Sequence, residues 1–212
     1  MVFANSLFGF LAGAFVAFPG FSPNIQLYSS VPQNALVEAA THEEAQVPDV
    51  PEVPFYSQFY DISAPEWRKK GCGIASLAMI IELYKPGAVS VDALLREGIA
   101  AGAYAEGAGW KHRDLALLAR PYGLQGASYD LSRADADTAF VEIKKALAEG
   151  PVIASVYYEF DPESPIPHLA VINGIRGDTV YYNDPAAGAG NKTISTDMFK
   201  KGWKKRFIAV HL

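Results

Sequence analysis

The spacing of apolar residues changes character at Gly150-Pro151, and that switch narrows the folds open to the chain. Upstream, Ile74, Leu77, Ala78, Ile81 and Leu83 recur at i, i+3, i+4 spacing, and Met79 and Ile80 thicken the stripe. The pattern predicts a largely buried helix over 71–84, ended by Pro86-Gly87. Further helices are predicted over 91–100, 110–121 and 135–149, the last stopping at Gly150-Pro151. Downstream, Val152-Ile153-Ala154-Ser155-Val156-Tyr157-Tyr158 is rich in β-branched and aromatic residues, which favours a strand. The stretches 168–175 and 179–183 read as a hairpin about Arg176-Gly177-Asp178, 206–211 as a final strand, and 53–58 as a short extended entry strand. Helices first and antiparallel strands afterwards make an α+β domain.

At 212 residues, half of them hydrophobic, the chain can bury one well-packed core, and a single domain is the default. Its net charge of -5 argues against nucleic acid as a partner, because phosphate binding rests on clustered Lys and Arg. Seven carboxylates (Glu38, Glu43, Glu44, Asp49, Glu52, Asp61 and Glu66) precede the first basic residue, Arg68. The acidic excess therefore belongs to the N-terminal third, and the remainder is close to neutral. Residues 2–18 are an almost unbroken apolar run containing Ala12-Gly13-Ala14, a small-residue step of the kind signal peptidases cut. The run lacks a positively charged n-region and is short of the roughly 20 residues of a membrane span. Residues 1–18 read as an export signal or anchor, so an exported, extracellular or membrane-attached protein is expected rather than a cytoplasmic one. The alternative is an apolar arm packed on the domain. Residues 19–52, with scattered Pro, Ser, Gln, Asn and Glu and no sustained period, read as a disordered linker, and 53–212 as the domain.

The single cysteine rules out an intramolecular disulfide and a multi-cysteine zinc site. It stands in Gly71-Cys72-Gly73-Ile74-Ala75-Ser76, at the start of the buried helix. Unpaired N–H groups and the positive end of the dipole at a helix N-terminus stabilise an anion. A thiol placed there is more readily held as the thiolate. The flanking glycines, Gly71 and Gly73, would let a substrate backbone come close. On this segment alone, a buried cysteine that merely opens a helix remains an alternative.

A thiolate nucleophile needs a base. His42 lies in the linker, His112 sits among Lys111, Arg113 and Asp114 on a helix face that reads as solvated, and His211 is the penultimate residue. His168 instead opens the apolar strand Leu169-Ala170-Val171-Ile172, where its ring would project at a cleft-forming edge. A turn centred near Gly177 brings Asp184 within roughly two positions of His168 across the ladder. A carboxylate there can orient the imidazole and steady its charged form. Asn183 is the poorer orienter, since alternation turns it to the opposite face. Gln58, ahead of Cys72, could join the Cys72 N–H in donating to an oxyanion. No paired-histidine metal spacing, phosphate-cradling glycine loop or Gly-x-Ser-x-Gly elbow occurs, so no metal or cofactor is expected.

Six pieces stand in order along 53–212: Val53-Pro54-Phe55-Tyr56-Ser57-Gln58, Gly71-Cys72-Gly73-Ile74-Ala75-Ser76, Gly109-Trp110, Gly150-Pro151-Val152-Ile153, Pro167-His168-Leu169-Ala170-Val171-Ile172-Asn173-Gly174 and Asn183-Asp184-Pro185. Together they resemble the papain-like cysteine peptidases related to the bacterial double-glycine leader peptidases. The resemblance implies a papain-like fold, Cys72 as nucleophile, His168 as base, Asp184 as orienter and Gln58 as oxyanion-hole donor. Trp110 and Pro167 are expected with Gly71 and Gly73 along the substrate cleft, and the expected partner is a peptide or protein substrate. Two departures stand out: Ile74 replaces the proline of the usual Cys-Gly-Pro, and Pro167 precedes His168 where glycine is common. The rival readings are a catalytically silent, surface-tethered domain that binds peptide or cell-wall fragments, and an amidase or acyltransferase using the same trio.

Overall fold

A computed structural model describes residues 50–212. The expectations for the apolar segment and for the linker as far as residue 49 fall outside the described residues. In chain order the elements are α1 (Cys72–Tyr84), α2 (Val91–Ala100), the two-residue strands β1 (Tyr104–Ala105) and β2 (Gly109–Trp110), α3 (His112–Leu117), β3 (Gln125–Asp130), α4 (Ala136–Glu149), β4 (Val152–Tyr157), β5 (Pro167–Arg176), β6 (Thr179–Asn183), β7 (Lys192–Ser195), α5 (Thr196–Gly202) and β8 (Trp203–His211). Strands β3 to β8 form one sheet in the order β3-β8-β4-β5-β6-β7. Every neighbouring pair in it is antiparallel.

The inner strands of the sheet are buried on both faces, and strand alternation assigns their residues. Ile153, Leu169, Val171, Ile208 and Val210 pack with α1, α2 and α3. Val152, Ala154, Val156, Ala170, Ile172, Phe207 and Ala209 pack with Ala139 and Ile143 of α4 and Phe199 of α5. A strand covered on both sides is apolar at successive positions, which is why 152–158 reads as a continuous run. Helix α1 is apolar all round, with every residue from Gly73 to Ile81 buried. Such a helix belongs inside, and α1 packs on β5 of the sheet on one side and on α2 on the other.

Three local expectations give way to tertiary constraints. The 53–58 segment is no strand, because Pro54 lacks a ladder N–H and a side chain does the pairing instead. Asn183 Nδ2 donates to the carbonyls of Val53 (2.9 Å) and Pro54 (3.4 Å). The helix expected over 110–121 begins only at His112, because Trp110 pairs with Tyr104 in the β1–β2 ladder. It breaks before Arg120-Pro121-Tyr122, which forms a single 3-10 turn as proline disfavours continuation. The last strand starts at Trp203 rather than 206, with an irregularity in its ladder at Ser155/Val156.

Candidate active site

Cys72 is the first residue of α1, and the N-cap, Gly71, has no side chain with which to cap the helix. The first-turn N–H groups are therefore not taken up by a capping side chain. The thiol is half-buried and lines a cleft of about 360 Å³. The lining comes from Lys69 and Lys70, the β1–β2 hairpin, and the ends of β4, β5 and β8. Trp110 and Pro167 lie in this lining.

Gly71 and Gly73 do not, and the reason for glycine there is internal. A Cβ on Gly71 would stand 2.1 Å from Ile62 Cδ1, and one on Gly73 would stand 2.7 Å from Cγ of Trp110. At both positions neighbouring side chains close over the backbone. Trp110 also donates its indole N–H to the Lys70 carbonyl at 2.6 Å. It thus grips the chain on both sides of Cys72. Gly73→Ala is accordingly expected to cost about 1–3 kcal/mol of stability by overpacking, measured by urea unfolding.

His168 is the second residue of β5, and Asp184 follows the last residue of β6. The β5–β6 register pairs Val171 with Asn183, so the next position sets Ala170 against Asp184, and His168 lies two residues further on the same side of its strand. The outcome is a 2.6 Å contact between His168 Nε2 and Asp184 Oδ1. Asp184 Oδ1 also accepts the Ala186 N–H at 2.8 Å, which fixes the carboxylate. The Cys72 thiol lines the same cleft as the imidazole and, with Asp184, is one of the two groups that act on its pKa. Burial by itself opposes a charge on this ring, only 4% exposed. The hydrogen bonds and charges of Asp184 and Cys72 outweigh burial and push the His168 pKa up to about 10. Asp184 is likewise penalised by burial, yet the imidazolium and the Ala186 N–H hold its carboxyl below the usual value. The arrangement favours an imidazolium beside the Asp184 carboxylate.

Gln58 is buried beside this group. Its backbone N–H donates to the Pro185 carbonyl (2.8 Å), which ties the Gln58 turn to the Asp184-Pro185 turn. Its Cβ abuts Gly71, next to the nucleophile. One Nε2–H is held by the Arg68 carbonyl at 2.8 Å; a primary amide has two such donors, so one remains. Asn183 lies on the other side, as alternation requires. It serves the fold by accepting the Asn191 N–H (2.7 Å) and by its bonds to Val53 and Pro54.

Five further residues contribute to the site. Tyr158 sets its ring edge-on to His168, with centroids 5.4 Å apart, and the left-handed residues Glu159 and Phe160 that follow (both φ 58°) bend the chain there. Ser155, Lys204 and Arg206 line the cleft. His112, expected on a solvated face, is half-buried in the same lining. Its pKa is held down by burial and by the nearby Arg206. The Tyr157-Tyr158 pair was the only local signal for any of these. Among the described residues, no group of three or more His, Cys, Asp or Glu side chains converges as a metal site would need.

Solved structures with this fold include three peptidase domains. A double glycine motif protease from an AMS/PCAT transporter, solved with the leader peptide, is 24% identical with a TM-score of 0.52, covering 77% of this chain and 94% of its own. A candidate C39-like peptidase from Bacillus anthracis is 19% identical with a TM-score of 0.55, over 76% and 94%. The peptidase domain of Streptococcus ComA, a bifunctional ABC transporter of a quorum-sensing pathway, is 18% identical with a TM-score of 0.50, over 67% and 91%. These likenesses establish the papain-like α+β fold. No curated protein matches the sequence. The model of the Peptidase_C39 like family matches residues 50–207, three-quarters of the chain. The chain belongs to the Peptidase_C39 like family.

Proposed function

We propose that the protein is a cysteine peptidase that hydrolyses peptide bonds through Cys72, His168 and Asp184. Membership of a peptidase family supports thiol peptidase action in general. The observation that carries the residue roles is one juxtaposition: a thiol at an uncapped helix start, sharing one cleft with an imidazole that an aspartate holds at 2.6 Å. The proton of Cys72 resides on His168, and the thiolate sulfur attacks the amide carbonyl carbon. The carbonyl oxygen becomes an oxyanion that accepts hydrogen bonds from the free Gln58 Nε2–H and the Cys72 backbone N–H. As the C–N bond breaks, His168 Nδ1–H gives its proton to the departing amine and leaves a thioester on Cys72. Water then attacks the thioester while His168 takes its proton. The acid departs, and the thiolate and imidazolium are restored.

The full chain in its folded state should be alkylated at Cys72 by iodoacetamide near neutral pH, and should cut an unbiased peptide library with release of free amine. A folded protein whose Cys72 stays unlabelled counts against the thiol mechanism. Labelling together with incorporation of an added amine instead of water would make the protein an acyltransferase.

A further inference from the structure

The cleft carries the opposite charge to the chain. Four cationic side chains, Lys69, Lys70, Lys204 and Arg206, line it against one carboxylate, Glu106, in a protein of net charge -5. Glu106 is engaged by Lys70 at 3.2 Å, and Arg206 Nε meets Asp130, which lies outside the lining, at 3.0 Å. Lys204 has no carboxylate partner among the described residues. Its ammonium rests over the Tyr157 ring, 4.4 Å from the centroid.

The backbone is shaped to place these cations. The β4–β8 ladder pairs Ser155 with Arg206 and next Val156 with Trp203, so Lys204 and Lys205 are extra residues without ladder partners, a bulge that re-aims side chains. Lys205 takes a left-handed conformation, φ 55°, which a lysine adopts only when its surroundings impose it. Its ammonium turns away to the Ala134 carbonyl. Lys204 and Arg206 are left in the cleft lining beside Ser155 and His112. The Trp203 indole N–H closes the bulge on the Arg206 carbonyl at 2.9 Å.

We propose that this wall is a carboxylate subsite, with Lys204 as anchor and Arg206 and His112 as flanking donors, and that the enzyme selects peptides bearing a carboxylate close to the scissile bond. The proposal rests on the thiol-peptidase reading and names the substrate class of that site. Burial and the neighbouring Arg206 both lower the Lys204 pKa, so an incoming anion relieves a repulsion already present. An acidic side chain and a free C-terminal carboxylate offer the same chemistry.

The test uses three alkylators of Cys72 on the full-length protein: iodoacetyl-Glu-amide (side-chain carboxylate), iodoacetyl-Gln (terminal carboxylate) and iodoacetyl-Gln-amide (no charge). Rates are normalised to a small neutral thiol. At low salt, at least one charged reagent should outpace the neutral one by about tenfold, the low end of electrostatic steering in clefts, and whichever gains names the source of the carboxylate. The advantage should collapse in about 0.5 M salt and shrink in Lys204→Met and in Arg206→Gln. Equal rates for all three overturn the subsite and leave the peptidase reading standing. An advantage that persists unchanged in both variants also overturns it, because His168 would then be its source. Failure of every reagent to label Cys72 overturns the thiol reading and this one with it.

Discussion

Cys72→Ala is expected to lower kcat on any cleaved peptide by about 100,000-fold or more, the scale seen when the nucleophile of a catalytic set is removed, and to leave the fold standing. The side chain lost is small and half-buried, so the change in unfolding free energy should stay within about 1–2 kcal/mol. A second effect is independent of turnover. The thiol is one of the two groups that raise the His168 pKa, so its removal should move the imidazole titration, followed by NMR, to lower pH while Asp184 still holds Nε2. A variant that retains more than about one part in a hundred of the activity would remove Cys72 from the chemistry. Unchanged His168 titration would show that thiol and imidazole do not interact in solution.

The parts of the site that could be read from the sequence are those set by strong local rules. Cys72 follows a glycine at the head of an apolar helix, and apolarity over 74–81 was enough to find that helix. The meeting of His168 and Asp184 followed from a hairpin whose turn glycine, Gly177, has φ 55° and whose alternation survives to Val171↔Asn183 in spite of an irregularity between Ile172 and Gly174. Asn173, left out of that ladder, donates to Asn183 instead. The shift near the turn does not disturb the site end.

What stayed hidden is what depends on distant packing. β3 and β7 are the two edges of the sheet and are mostly exposed, so no apolar pattern betrays them. Nothing local reveals that Ile62 and Trp110 need the space at Gly71 and Gly73. The basic wall escaped for a related reason. Charge counted along the chain gives a near-neutral domain, whereas the bulge at Lys204 and Lys205 gathers cations at one cleft.

Removing Asp184 is expected to act on rate, on pH dependence and on stability together. Asp184→Ala takes away the acceptor 2.6 Å from Nε2 and should lower kcat/KM by about 100- to 1,000-fold, the range of positioned acid–base groups. Asp184→Asn should lose less, because its amide oxygen still accepts from Nε2–H although it no longer offers a charge. In both, the alkaline limb of kcat/KM should move down by about one pH unit or more, since the raised His168 pKa depends on this carboxylate. For stability the signs differ. His168 titrates higher in the folded state than its ordinary value, so its contribution is complete below about pH 6.5 and is lost as pH rises through about 10. Asp184 titrates lower when folded, so its contribution is present above about pH 4 and is lost as pH falls. Both operate fully between roughly pH 4 and 6.5. In Asp184→Ala the buried ring must either stay neutral or carry an unpaired charge. The loss should therefore be largest inside that window, about 3 kcal/mol by urea unfolding at pH 5.5, and smaller at pH 9, where the unfolded chain no longer binds the proton. An equal loss at both pH values would mean that Asp184 acts by packing alone, and an unmoved alkaline limb would separate it from the imidazole in catalysis.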